Sequence, residues 1–191
     1  MNKAVLFDRD GVINRLVFNP QTQAYESPHF VKDFELFPWT LDSLLELDKS
    51  DYLLFVVSNQ PSYAKGKTTL ENIKAIHDKF HTILTRTGVT FTEYYYCFHH
   101  PDGIIPKFSG KCHCRKPEPY FPLKAKKDYQ LDVSASWFIG DRDSDIYCGQ
   151  SAGMRTIMID EPHSAGERGQ SVPEFWAQDI KEAEKIIHNN Q

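Results

Sequence analysis

Ala4-Val5-Leu6-Phe7-Asp8-Arg9-Asp10-Gly11-Val12 sets an apolar run against two carboxylates and a glycine, and Trp137-Phe138-Ile139-Gly140-Asp141-Arg142-Asp143-Ser144-Asp145 repeats the pattern far along the chain. Each run is short enough for a buried strand and breaks abruptly at its C-terminal end. In a parallel sheet the C-terminal ends of neighbouring strands open into one crevice, so the two acidic clusters can meet there. Carboxylates paired in such a crevice favour a divalent cation, and one held by that cation can attack phosphorus. Either cluster alone would be an ordinary strand-to-loop turn, where Asp is common. Their pairing points to chemistry.

Working outward, strand-like runs fall at Lys3–Asp8, Tyr52–Ser58, Glu93–Phe98, Ser136–Gly140 and Arg155–Asp160. Helical patterns alternate with them: Leu41, Leu44, Leu45 and Leu47 before the second run, then Leu70, Ile73, Ile76, Phe80, Ile83 and Leu84 after it. Shorter helices are expected near Tyr120–Lys127 and Ser144–Ala152, and Glu174–His188 reads as one amphipathic helix. This alternation predicts an α/β fold with a doubly wound parallel sheet, in a single domain over residues 1–191. Asn14–Pro38 is expected to form a turn or hairpin over the site. His100–Lys111 is too irregular for helix or strand, and Glu161–Pro173 reads as a surface connection.

The chain has 191 residues, 40% apolar and 25% charged, as in a soluble globular protein. A net charge of −4 gives no basic surface for nucleic acid. No apolar run approaches the roughly 20 residues of a membrane span. Met1-Asn2-Lys3 leads straight into a strand and does not read as a signal peptide. A cytoplasmic monomer acting on a small molecule is the expectation. Three of the four cysteines lie within Cys97–Cys114 beside histidines, which in a reducing compartment suggests metal before disulfide. Cys148 stands alone in a predicted helix and reads as a core residue.

Asp8-Arg9-Asp10-Gly11, Ser58-Asn59-Gln60, Arg115-Lys116-Pro117 and Gly140-Asp141-Arg142-Asp143-Ser144-Asp145 resemble, in order, the four motifs of haloacid dehalogenase (HAD) superfamily phosphatases. The resemblance covers roughly residues 4 to 160. It implies a HAD-like Rossmannoid sheet with a minimal cap and a phosphatase using an aspartyl-phosphate intermediate. Asp8 is then the nucleophile. Asp10, on the same side of an extended backbone, protonates the leaving oxygen and later takes a proton from water. The carbonyl of Asp10 and the carboxylates of Asp8 and Asp141 would hold magnesium, a hard ion suited to oxygen ligands, with Asp145 supporting Asp141. Ser58 and Asn59 would hold phosphate oxygens. Lys116 would offset charge on the attacking carboxylate, Arg115 would grip a phosphate, and Arg142 would bind phosphate or sit beside the metal.

Cys97-x-His99-x12-Cys112-x-Cys114 offers three thiolates and an imidazole, a donor set of closed tetrahedral zinc sites. His100 and His113 are alternative ligands in place of His99. This zinc loop, about residues 97–114, resembles that of the subgroup of heptose bisphosphate and histidinol-phosphate phosphatases. Zinc there would be structural, clamping a Pro/Gly-rich insertion and setting Arg115-Lys116 at the crevice. Heptose phosphatases typically follow the second motif with Ser-Gly-Ile-Ala-Arg-Gly, whereas this chain reads Pro61-Ser62-Tyr63-Ala64-Lys65-Gly66, with Tyr63 expected to add bulk near the site. Tyr120 likewise stands where relatives tend to carry glycine. Lys65 with Arg115 would suit a second phosphate. The resemblance therefore implies a heptose 1,7-bisphosphate losing its 7-phosphate, in the supply of nucleotide-activated heptose. A histidinol-phosphate phosphatase is the enzymatic rival, and a non-catalytic zinc-stabilised interaction protein the rival of another class.

Overall fold

A computed structural model describes residues 1–190. Six strands form one parallel sheet: β1 (Lys3–Phe7), β4 (Tyr52–Asn59), β5 (Phe91–Cys97), β6 (Trp137–Gly140), β7 (Arg155–Ile159) and β8 (Phe175–Ala177), in the order β5-β4-β1-β6-β7-β8. From β1 the chain passes to β4 on one side and later returns to β6 on the other. The strand order therefore reverses at β1, and the crevice beyond its C-terminal end is the topological switch point. Asp8 and Asp141 follow the last residues of β1 and β6, so that crevice receives both acidic clusters.

Alternation along β1 builds the two layers. Val5 and Phe7 pack with Leu44 and Leu47 of α1 (Thr40–Lys49), Ile76, Phe80 and Leu84 of α2 (Leu70–Thr87), and Ile180, Ala183 and Ile187 of α5 (Ile180–Asn189). Ala4 and Leu6 face the opposite layer, with Ala125 of α3 (Tyr120–Tyr129) and Cys148 of α4 (Asp143–Ser151). Successive strand residues point to opposite faces, so a strand covered on both sides reads as continuously apolar. Cys148 is fully buried, as its surroundings predicted. The expected doubly wound sheet is present, and strand boundaries agree within two residues.

Two expectations need correction. Glu174–His188 is not one helix: Phe175–Ala177 is a sixth strand, pairing with Ile157–Ile159, and α5 begins only after it. A three-residue aromatic strand merged into the helical periodicity behind it. The signal separating them was Asp179-x-x-Glu182: Asp179 caps the amide of Glu182, while the Glu182 carboxylate accepts from the amide of Gln178. Glu161–Pro173 is also more than a surface connection. It holds a short 3-10 helix, Pro162–Glu167, whose Ser164 is buried against the acidic cluster. Asn14–Pro38 does carry a hairpin, β2 (Val17–Asn19) with β3 (Ala24–Glu26), beside the crevice. Lys67 ties to Glu26 and Ser62 meets Ser27, fastening the hairpin to the loop after β4.

Candidate active site

Asp8 leaves the end of β1, its amide bonded to the carbonyl of Ile139 on β6. Its Oδ1 accepts from the Arg9 amide at 2.7 Å and lies 2.9 Å from Lys116 Nζ. Burial works against its charge, yet Lys116, the Ser58 hydroxyl and the Arg9 amide hold it below the usual carboxylate range. Lys116 Nζ also reaches Asp145 Oδ1 at 2.7 Å and the carbonyl of Val57 at 2.7 Å. Although burial disfavours its charge, Asp145 and Asp8 together raise Lys116.

Asp141 completes the group. Ser164 donates to its Oδ2, Arg142 Nε stands 3.8 Å away, and its buried Oδ1 has no hydrogen-bond partner among the described residues. Burial, then the charges of Asp8 and Asp145, push Asp141 up to about 8. Carboxylate oxygens of Asp8, Asp141 and Asp145 all lie within 4.8 Å of one another. Three buried carboxylates offset by one ammonium, with an orphaned oxygen, fit a hard divalent cation. Two glycines make the approach possible. A Cβ on Gly11, at φ +90°, would overlap the Asp141 carboxylate, and one on Gly140 would overlap Asp145.

The Asp10 carboxylate lines the same cavity but stands outside this acidic group. The chain bends at Arg9 and turns back after Asp10, which bridges to Asn14 around Gly11. Its oxygens are taken by Arg9, Asn14 and Gln60. Ser58 is buried beside Asp8. The Asn59 side-chain amide accepts from the N–H of Lys116 at 3.1 Å and donates to its carbonyl at 3.2 Å. It thereby locks the second motif to the third. Asp143 turns away and accepts from the amides of Gln170 and Ser171, tying down the segment after β7.

The cavity, about 380 Å³, is also lined by Lys65, Lys67, Arg115, Arg142, Tyr25, Glu26 and Glu167. Lys67 is neutralised by Glu26 and Arg142 stands against Asp141, which leaves Lys65 and Arg115 as the lining cations without a carboxylate partner among the described residues. Burial, then Lys67 and Arg115, lower Lys65; burial lowers Arg115, with Arg142 adding to it. Cations crowded in this way favour an anion. Tyr63 is absent from the lining; it packs edge-on against Phe108 of the loop 97–114, ring centres 5.4 Å apart. The bulk expected there props the loop and does not enter the cavity. Tyr120 likewise packs against His113 at 4.4 Å, at the start of α3.

The thiol cluster lies at the end of β5. Cys97 Sγ is 3.6 Å from Cys112 Sγ and 3.3 Å from Cys114 Sγ, and Cys112 and Cys114 are 3.6 Å apart. His99 Nδ1 stands 3.9 and 3.8 Å from Cys97 and Cys114. A tetrahedron with Zn–S bonds of ~2.3 Å has S···S edges of about 3.8 Å. The cluster is close to that size, and no disulfide joins any pair. His100 is turned elsewhere, accepting from the Asp102 amide. Arg115 follows the last cysteine, with Nη1 donating to the carbonyl of His99.

Arg9, Asn14, Gln60, Ser164, Glu26 and Lys67 take part in the site without being among the residues expected there. Arg9 and Gln60 lie inside the first and second motifs, where their neighbours were a usable signal. Ser164 had none.

Residues 113–183 match the HAD-hydrolase-like family model. D-glycero-alpha-D-manno-heptose-1,7-bisphosphate 7-phosphatase of Photorhabdus laumondii is 32% identical over 166 residues, 86% of either chain. D-glycero-beta-D-manno-heptose-1,7-bisphosphate 7-phosphatase of Escherichia coli K12 is 32% identical over 156 residues, 82% of this chain and 78% of that one. Among solved structures, D,D-heptose 1,7-bisphosphate phosphatase from B. bronchiseptica, complexed with magnesium and phosphate, aligns over 99% of both chains with a TM-score of 0.81 at 22% identity. At that identity the likeness is one of fold. No helix of the described residues is long and apolar enough to cross a membrane.

Proposed function

The chain belongs to the heptose-1,7-bisphosphate 7-phosphatase family of HAD-like hydrolases, and from that premise we propose that it removes the 7-phosphate of a heptose 1,7-bisphosphate through an aspartyl-phosphate on Asp8. The observation that carries the reading is the buried Asp8–Lys116 pair, 2.9 Å apart, in one crevice with Asp141 and Asp145. Asp8 attacks phosphorus as the bond to the sugar oxygen breaks, and Asp10 gives that oxygen its proton. Asp10 then takes a proton from the water that attacks the phosphoryl group, so phosphate leaves and Asp8 is restored. Lys116 holds Asp8 ionised and offsets the charge on the transferred group. Asn59 acts through Lys116, by fixing its backbone.

The carboxylates of Asp8 and Asp141, with the backbone carbonyl of Asp10, would hold magnesium, which when bound neutralises phosphate charge in the crevice; Asp145, paired with Lys116, would support them. Cys97, His99, Cys112 and Cys114 would hold a structural zinc, supported by their near-tetrahedral spacing. Lys65, Arg115 and Arg142 form the anion-binding wall that favours a substrate with a second phosphate. Family membership and that wall favour the bisphosphate over histidinol phosphate. All the chemical groups of the motifs are present, which disfavours a non-catalytic scaffold. Phosphate release should be far faster from a heptose 1,7-bisphosphate than from histidinol phosphate. Equal rates, or a preference for histidinol phosphate, would contradict this substrate.

A further inference from the structure

Asp10 is gripped by a group that has no part in the chemistry described so far. Arg9, fully buried, sets Nε 3.2 Å and Nη2 3.0 Å from Asp10 Oδ1, and Nη2 3.1 Å from Oδ2. Asn14 Nδ2 donates to Oδ1 at 2.9 Å, and Gln60 Nε2 to Oδ2 at 2.6 Å. The Gln60 amide is itself oriented by Arg9, whose Nη2 donates to Oε1 at 3.1 Å. Turning that amide over would set its NH2 group against the guanidinium. Arg9 therefore acts on Asp10 twice, directly and by keeping a Gln60 donor aimed at it. Behind Arg9, the rings of Phe34 and Tyr96 lie 5.9 and 5.8 Å from the guanidinium carbon and close its slot.

Burying a whole guanidinium is unfavourable unless its partners are well placed, so an apolar side chain would fill this space more cheaply. A planar fork does what neither an apolar group nor a lysine can: it defines the plane of a carboxylate as well as its position. We infer that Arg9, with Gln60 and Asn14 in support, is a positioning residue for proton transfer by Asp10, fixing the carboxylate's orientation towards the leaving oxygen and the attacking water. The inference rests on the reading of Asp10 as acid and base. Orientation matters at this step, because displacement by about 1 Å can cost roughly a hundredfold in rate.

Leaving-group dependence provides the test. An alkyl phosphate needs its oxygen protonated as the bond breaks, whereas p-nitrophenyl phosphate scarcely does. Arg9→Lys, Arg9→Gln and Asp10→Asn should be compared on the sugar bisphosphate and on p-nitrophenyl phosphate. Asp10→Asn should lose far more on the sugar ester. Arg9→Gln should follow with a tenfold to hundredfold greater loss of kcat on the sugar ester than on the aryl ester, within the ~10²–10⁴ attributable to such a catalyst. Arg9→Lys should fall between wild type and Arg9→Gln. Arg9→Gln combined with Asp10→Asn should be little worse than Asp10→Asn alone. If Arg9→Gln does not fold, Gln60→Ala carries the same comparison, with a smaller selective loss. Selective loss in Asp10→Asn but equal losses on both esters in the Arg9 and Gln60 variants would overturn the positioning role alone. Equal losses in Asp10→Asn would overturn the acid role of Asp10, and the inference with it.

Discussion

The acidic crevice and the thiolate loop both gather metal-type ligands, yet they are built in opposite ways. Asp8 and Asp141 follow strand ends and Asp145 sits in the first turn of α4, all buried and held by a sheet packed with apolar side chains on both faces. Their geometry comes from the fold, and charge is incompletely balanced: three buried carboxylates face the Lys116 ammonium and, beside Asp141, the half-buried Arg142, and burial still pushes Asp141 up to about 8. Cys112, Cys114 and His99 are only part-buried, on a segment whose regular structure amounts to the short 3-10 turn Pro106–Phe108. Here an ion would supply geometry to the chain. One region is a frame of buried charge set by the sheet; the other is a part-buried loop whose two ends meet at Cys97, His99, Cys112 and Cys114.

If that contrast is right, substitutions in the crevice should remove chemistry and substitutions in the loop should remove order. Asp8→Asn should lower kcat by at least about 10³-fold while thermal unfolding scarcely moves, since the change is nearly isosteric and relieves like-charge crowding. A folded variant with near wild-type turnover would break the comparison at its strongest point. Lys116→Met should damage both properties, because it leaves Asp8 and Asp145 unpaired. Removing one partner of a buried ion pair costs about 3–5 kcal/mol, measurable by denaturant unfolding. Cys112→Ser should cut zinc below one per chain by elemental analysis and lower the melting temperature. Its activity should fall only partly, through drift of Arg115 and Lys116. Mild chelation of wild type should strip magnesium with reversible loss of activity and leave zinc in place. Arg115→Ala, at the junction of the two regions, should show a smaller effect than Asp8→Asn. It should cost on the order of 1.5–3 kcal/mol, about tenfold to more than hundredfold in kcat/KM, on a bisphosphate, and less on a small aryl phosphate.

The two regions also differed in how far the sequence revealed them. Abrupt apolar-to-acid transitions at Phe7-Asp8 and Gly140-Asp141 marked strand ends, and parallel topology then required their convergence. The Cys/His spacing was legible for a similar reason, since few other arrangements bring three thiols and an imidazole together. Cross-links between distant segments were not legible. Ser164 reaches Asp141 from a stretch whose Gly, Pro and Ser content read as surface. Asn59 spends its amide on Lys116, 57 residues away, a pairing that no local pattern encodes. Arg9 between two aspartates carries no local signal of burial, and only three-dimensional packing shows it fully enclosed. Strand β8 was hidden because three residues are too few to establish a period of two.

The claim most exposed to test is that Asp8 carries the phosphoryl group. Borohydride reduces an aspartyl-phosphate but leaves a free carboxylate untouched, so trapping during turnover of the heptose 1,7-bisphosphate, followed by peptide mass spectrometry, locates the intermediate. The prediction is reduction of Asp8 alone, dependent on substrate and absent from Asp8→Asn. Reduction at Asp10, Asp141 or Asp145, or none while phosphate is being released, would contradict it.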